Sequence, residues 1–255
     1  MRINPSAVLA IAAIGTLLGS LIISVDRPPS WGLWIALGFL QIPVAIAAYT
    51  VLHDASHRVA GRARWANELL LFGCGMVFLT DGLLFRRVHL LHHAHTHRPN
   101  DPDRFTSARS RLARLVRSML IAVGYYTYAV RTLWREPVWR KRLIVAAVLP
   151  IVVTAFFAWL GRLDVFLLLW LLPTWLAEGL MGLLFSSLPH DHEQDQTRNL
   201  TLPPVVGWLL GNGHLHLAHH EFPRVPWYRL PRFWREHASI GVASTASRSA
   251  ARLVR

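Results

Sequence analysis

Histidine is the residue type in this chain whose spacing could do chemistry. Thirteen of the 14 histidines fall in four short clusters. These read HDASH over 53–57, HLLHH over 89–93 with His95 and His97 trailing, PHDH over 189–192, and HLHLAHH over 214–220. Residues at i, i+3 and i+4 share one face of a helix. The pair His53 and His57 therefore aims two imidazoles one way. The triplets His89, His92, His93 and His216, His219, His220 each aim three, and His190 adds one more. A closed tetrahedral zinc site takes about four ligands, whereas these nitrogens suit two six-coordinate ions. A lone histidine beside a membrane is an ordinary interfacial polar residue; it is the helical register of the clusters that points to metal. His95, His97, His192 and His214 are extra imidazoles that could compete for the ligand positions, and His237 falls outside the pattern as a surface residue. The single Cys74 excludes a disulfide framework, a CxxC redox pair and cysteine-ligated iron–sulfur chemistry.

The elements that must position these histidines are apolar. Over half of the 255 residues are hydrophobic and 16% are charged, which is not the make-up of a soluble domain. Residues 6–25, 31–52, 143–160 and 165–185 are each about as long as a bilayer-spanning helix. The second pair is joined by the turn GRLD over 161–164, too short to hold a domain, so the expected fold is all-α and integral to the membrane. It comprises four transmembrane helices in two hairpins, with a helical cytosolic cap holding a histidine-rich di-metal site. Residues 1–242 form one domain, and 243–255 form a polar tail expected to be disordered. No cleavage site followed by a soluble domain marks the first stretch as a signal peptide.

The net charge of +13 could suggest nucleic acid, but its placement suggests topology. Of the 27 basic residues, Arg27 and Arg162 alone lie in the short connections within the hairpins, and the other 25 fall on the opposite face. That is the positive-inside pattern, which puts both termini and every histidine cluster on the cytosolic side, as in a bacterial inner membrane. Contact with anionic lipid accounts for the charge, and no nucleic-acid partner is expected.

Residues 65–85 are apolar enough to span but carry Glu68 and Asp81. A crossing there would separate the first two histidine clusters, so the segment is read as a re-entrant or surface-lying helix pair. Residues 109–135 mix arginines with leucines at the spacing of an amphipathic interfacial helix. Asp54, inside the first cluster, could accept an N–H from a ligand imidazole and fix its orientation. Asp191, Glu193, Asp195 and Glu221 have the same possible role or are solvated, and Asp101 and Asp103 shape a turn or pair with arginines. Glu178 sits inside the fourth span, where a carboxylate is expensive, and either lines a substrate tunnel, reaches the metal edge or bonds another helix. Trp31, Trp34 and Trp159 are expected as interfacial anchors, with Trp175 a candidate channel wall.

The ordered set of HDxxH, HxxHH, an isolated histidine and a second HxxHH resembles the membrane fatty acid desaturase superfamily, which also holds lipid hydroxylases and carotenoid ketolases and hydroxylases. The resemblance runs from the first span to about Trp234. It includes HHAHTHRPNDPD over 92–103, TRNL over 197–200 and HHEFPRVPWYRLP over 219–231. It implies that His53, His57, His89, His92, His93, His190, His216, His219 and His220 bind two non-haem iron ions, with dioxygen as co-substrate. The implied activity is oxidation of an unactivated C–H bond in a long-chain lipid. Fatty acyl desaturation is expected first, with carotenoid ketolation or hydroxylation, favoured by chain length and the VPWYRLP ending over 225–231, and lipid hydroxylation beside it. No glycine-rich dinucleotide fingerprint follows a strand, so no cofactor-binding residues of that kind are expected. Electrons must then come from an external donor, a ferredoxin or a b-type cytochrome with its reductase. A transporter or sensor is the competing class, but Glu178 is the one ionisable residue within the expected spans.

Overall fold

The computed structural model describes residues 4–26 and 30–238. Arg27 and the tail over 243–255 lie outside the described residues. The fold is all-α, and four helices are long and apolar enough to cross a membrane: α1 (Pro5–Asp26), α2 (Trp31–Ser56), α7 (Pro137–Trp159) and α8 (Leu163–Ser187). Between the two hairpins lie α3 (Arg64–Val77), α4 (Gly82–His95), α5 (Arg111–Met119) and α6 (Ile121–Leu133). After α8 come a short hairpin of β1 (His190–Asp191) and β2 (Gln196–Thr197), then α9 (Pro204–Leu209) and α10 (His216–Glu221).

The spans obey lipid chemistry. Ile11, Ile22, Phe39, Ile151 and Val152 point outward and are exposed, as suits a face whose solvent is hydrocarbon. The buried face is lined by small residues, Ala10 and Ala13 on α1 and Ala45, Ala48 and Ala55 on α2, which let helices approach closely where lipid supplies no hydrophobic drive. Gln41 Nε2 donates to Ser20 Oγ at 2.9 Å and ties α1 to α2 inside the bilayer. Trp34 departs from the expected interfacial anchoring. It is buried in the core among α1 and α8 residues, while Trp31 and Trp159 stay exposed at span ends. The spans also outrun the apolar stretches: α2 continues to Ser56, so His53 rides its last turn, and α7 begins at Pro137, whose fixed φ suits a first helical turn.

Helices α3 and α4 meet at 97° across a four-residue break. Asn67 at the start of α3 donates to Ala55 O at 2.8 Å, and Arg86 on α4 donates to the same carbonyl at 2.9 Å. Arg86 also bonds both carboxylate oxygens of Glu68 at 2.9 Å. Both arms thus return to the end of α2, which is the geometry of a re-entrant pair. Asp81 caps α4 by accepting from Leu84 N and pairs with Arg142 at the base of α7 at 2.9 Å. The expected interfacial helix over 109–135 is two helices, broken at Leu120. Ser110 caps α5.

Candidate metal centre

Each histidine cluster is placed by a rigid element. His53 sits on the last turn of α2 and His57 caps it; His89, His92 and His93 lie on α4; His190 lies on β1; and His216, His219 and His220 lie on α10. The structure brings all nine imidazoles together. His57 Nε2 lies 2.8 Å from His89 Nε2, and His219 Nε2 lies 3.0 Å from His93 Nε2. His190 and His220 approach His216 at 2.9 and 3.0 Å, and His92 approaches His220 at 3.1 Å. The donors sort into two adjoining groups. One is His53, His57, His89 and His219, with His93 beside it; the other is His92, His190, His216 and His220. The rings of His93 and His220 stack at 4.3 Å across the boundary.

Those spacings test which metal the donors fit. With a metal–nitrogen bond of about 2.1 Å, nitrogens at right angles lie about 3.0 Å apart, and nitrogens at the tetrahedral angle about 3.4 Å apart. The observed 2.8–3.1 Å separations match the right-angled arrangement. Nine donors in two groups exceed the four that one closed tetrahedral zinc would take, and would suit two ions of higher coordination number. Most of the imidazoles are also prepared as neutral donors; at His92 burial is outweighed by the Asp103 and Asp101 carboxylates, which shift it upward. Burial, reinforced by neighbouring imidazoles, pushes His190, His216, His219 and His220 well below the ordinary histidine range.

The carboxylate that meets an imidazole of these groups is not the one expected. Asp54 lies 3.9 Å from His53 Nδ1, too far for a hydrogen bond, and its Oδ2 accepts from the Trp227 backbone N–H at 2.9 Å. Asp54 thus anchors the segment after α10. The contact is made instead by Asp101, whose Oδ1 lies 2.8 Å from His92 Nδ1. Asp101 in turn accepts from the backbone N–H groups of His97 and Asp103, both at 2.9 Å. Its burial opposes ionisation, but the bond and charge of His92 and those two N–H donors outweigh it and hold the carboxyl below its usual range. Asp103 beside it accepts the Tyr125 hydroxyl and lies 3.7 Å from His92 Nδ1. A carboxylate fixing a ligand imidazole in this way sets its tautomer and raises its basicity. The NDPD run after the second cluster was the visible signal, but its turn role masked the partner.

The extra histidines stay outside both groups. His95 bonds the Leu91 carbonyl one turn back, and His214 packs against Gly207. His97 Nε2 meets the Thr197 hydroxyl at 2.8 Å, and Thr197 in turn meets His190 Nδ1 at 3.1 Å. His97 thus helps orient His190 through Thr197. His192 is buried with both ring nitrogens unpartnered, and His237 stacks on Phe233 at 4.1 Å, away from the site.

On the membrane side of the imidazoles lies a cavity of about 190 Å³, lined by Tyr49, Phe85, Tyr125, Met181 and Glu178. Tyr49, Ile121, Tyr125 and Met181 also line the space beside His53, His89 and His92, so the cavity reaches the donors. In the other direction Phe78, Leu79, Ala122 and Glu178 are shared with an apolar groove of about 490 Å³ along the lipid-facing side of α8. Glu178 therefore stands at the neck between groove and cavity, and the packing bond to another helix is not observed among the described residues. Trp175 lines the outer groove rather than the inner channel, and its Nε1 donates to Met119 O at 2.8 Å. Two π-helical segments, Leu167–Leu171 and Gly182–Ser187, flank Glu178 on α8; such segments are frequent at functional sites.

Two convergent imidazole groups facing an apolar, laterally open cavity define a membrane metal centre built for an apolar molecule. The sequence profile of the family "Fatty acid desaturase" matches residues 27–248, and the chain belongs to that family. It is an oxidoreductase and a multi-pass membrane protein. It is similar to a protein named "Beta-carotene ketolase" from Paracoccus sp. (strain N81106 / MBIC 01143), 27% identical over 201 residues, covering 74% of each chain. A second protein of that name, from Paracoccus sp. (strain PC1), is 28% identical over 202 residues, again covering 74% of each chain. No solved structure matches the chain.

Proposed function

We propose that the chain is a non-haem di-iron oxygenase that oxidises C–H bonds of a long apolar lipid drawn sideways from the bilayer, with a carotenoid-type polyene as the substrate. The observation that carries this reading is the sorting of nine imidazoles into two groups at right-angled spacing beside an apolar cavity. Acyl desaturation was the first expectation from the histidine pattern; the names of the two relatives move the preference to ring oxidation of a polyene.

The iron ligands are His53, His57, His89, His93 and His219 in one group and His92, His190, His216 and His220 in the other. Bound there, two irons supply dioxygen activation. Each oxygen insertion consumes one dioxygen, two electrons and two protons, places one oxygen atom in the C–H bond and releases the other as water. Two insertions at one carbon followed by loss of water give a ketone. The chain's own residues do the positioning: Tyr49, Phe85 and Met181 hold the apolar substrate and exclude water. Asp101 holds His92, and Thr197 holds His190. The electrons come from a ferredoxin or a b-type cytochrome on the cytosolic side.

The test is product analysis in cells that make β-carotene, with and without the chain. New keto or hydroxy carotenoids support the reading. An unchanged carotenoid profile with a new double bond in membrane acyl chains returns the function to desaturation.

The distribution of basic residues supports a cytosolic position for the metal centre and both termini. With buried Cys74 replaced by serine, a cysteine at Arg62 is expected to label from the cytosolic side and one at Asp164 from the other. Labelling of both from one side overturns the four-span topology.

A further inference from the structure

The cavity beside the imidazoles is largely but not wholly apolar. Tyr49, Thr80, Tyr125, Tyr126 and Glu178 bring polar side chains to its lining. Two of these are committed, since the Tyr125 hydroxyl donates to Asp103 and the Tyr126 hydroxyl to the Leu143 carbonyl. Tyr49, Thr80 and Glu178 make no side-chain hydrogen bond among the described residues. Each is set in place by its surroundings. The Tyr49 ring lies among His53, Phe78, Phe85 and Phe185, with ring centroids 6.2, 6.1, 6.0 and 6.3 Å away. Thr80 stands in the break between α3 and α4, next to Leu79, whose φ of 50° is one that side chains other than glycine seldom adopt. Glu178 lies between the two π-helical segments of α8. A polar group left unpaired in a hydrocarbon setting is costly, so three of them in one cavity mark a place for a partner.

We infer that Tyr49, Thr80 and Glu178 are recognition residues for a hydroxyl group on the lipid, and that this protein binds a hydroxylated polyene in preference to the pure hydrocarbon. The inference rests on the oxygenase reading above and deepens it by naming the substrate class of the same cavity. A hydroxyl both donates and accepts, so it can meet a phenol, an alcohol or a carboxyl in either of its forms. Thr80 and Glu178 line the cavity but not the space beside His53, His89 and His92. The hydroxyl therefore sits away from the carbon that is oxidised, and the neck reads the substrate without joining the reaction. A site built to hydrogen-bond a hydroxyl rejects the analogue that lacks it, because its own polar groups are then left unpaired.

The experiment measures binding of radiolabelled lipids to the full chain in nanodiscs, with empty nanodiscs correcting for partition into the bilayer. One probe pair is β-carotene and its monohydroxylated counterpart β-cryptoxanthin; the other is octadecene and oleyl alcohol. The native protein is expected to bind β-cryptoxanthin about tenfold or more tightly than β-carotene. Glu178→Leu is expected to bring that ratio to about one, and Tyr49→Phe, which removes a single oxygen atom, to lower it about threefold. Tyr49→Phe carries the same test should Glu178→Leu fail to fold. A ratio near one in the native protein overturns the proposal, as does a native ratio that survives in both variants. A preference for oleyl alcohol over octadecene, with neither polyene bound, leaves the hydroxyl recognition standing and removes the polyene reading. Binding of none of the four probes overturns both.

Discussion

His190→Ala is expected to abolish product formation and to lower bound iron from about two to about one per chain, because the second imidazole group loses one of four donors. His190 stands alone in the sequence, and a polar residue at the end of a span would tolerate alanine. Its position says otherwise. Its Nε2 lies 2.9 Å from His216 Nε2, and its Nδ1 is fixed by the Thr197 hydroxyl. His237→Ala is the control, since that ring stacks on Phe233 outside both groups, and it should leave activity and iron nearly unchanged. Elemental analysis and product chromatography on the same membrane preparations check both. Full activity in His190→Ala together with its loss in His192→Ala would move the ligand by two residues. One zinc and no iron in the native chain would remove the di-iron centre altogether.

Asp101→Asn should lower activity about 10- to 100-fold with a parallel weakening of iron affinity, the usual cost of losing a carboxylate that orients a ligand imidazole. The neutral amide keeps the size of the side chain but gives up the charge that His92 Nδ1–H meets at 2.8 Å. Asp54→Asn should behave differently. Asp54 accepts a backbone N–H from Trp227 rather than holding an imidazole. Its loss should show as lower thermal stability of the purified protein, with iron affinity little changed. Iron titration and thermal melting of the two variants side by side separate these roles; equal loss of iron affinity in both would refute the assignment of Asp101.

Much of the site was legible because imidazole spacing is local. HDASH, HLLHH and HLAHH each pre-align their nitrogens on one helical face, whatever the rest of the chain does. The two groups, however, draw their members from different clusters. His93 on α4 joins His219 on α10, while His92, its neighbour, faces His190 and His220. Adjacent residues on a helix point about 100° apart, so one cluster can feed both groups, and that partition depends on how α4 lies against α10. Asp54 departs from its expected contact for a similar reason, while Asp101 keeps its expected turn and adds an imidazole to it. Proximity in sequence places Asp54 beside His53, but the side chain turns to a backbone N–H far along the chain. Asp101, held by the turn after α4, swings back onto His92.

The sequence alone determined the membrane setting, the four spans and the helical faces that carry the imidazoles, because hydrocarbon length and helical period act over short stretches of chain. Tertiary structure alone decided which histidines share a group, which carboxylate orients one of them and that Trp34 is buried rather than interfacial. It also decided that Glu178 stands at the neck of the cavity. Each of these depends on contacts between residues far apart in the chain, and side-chain direction at such contacts is set by the packing of whole helices, not by local spacing.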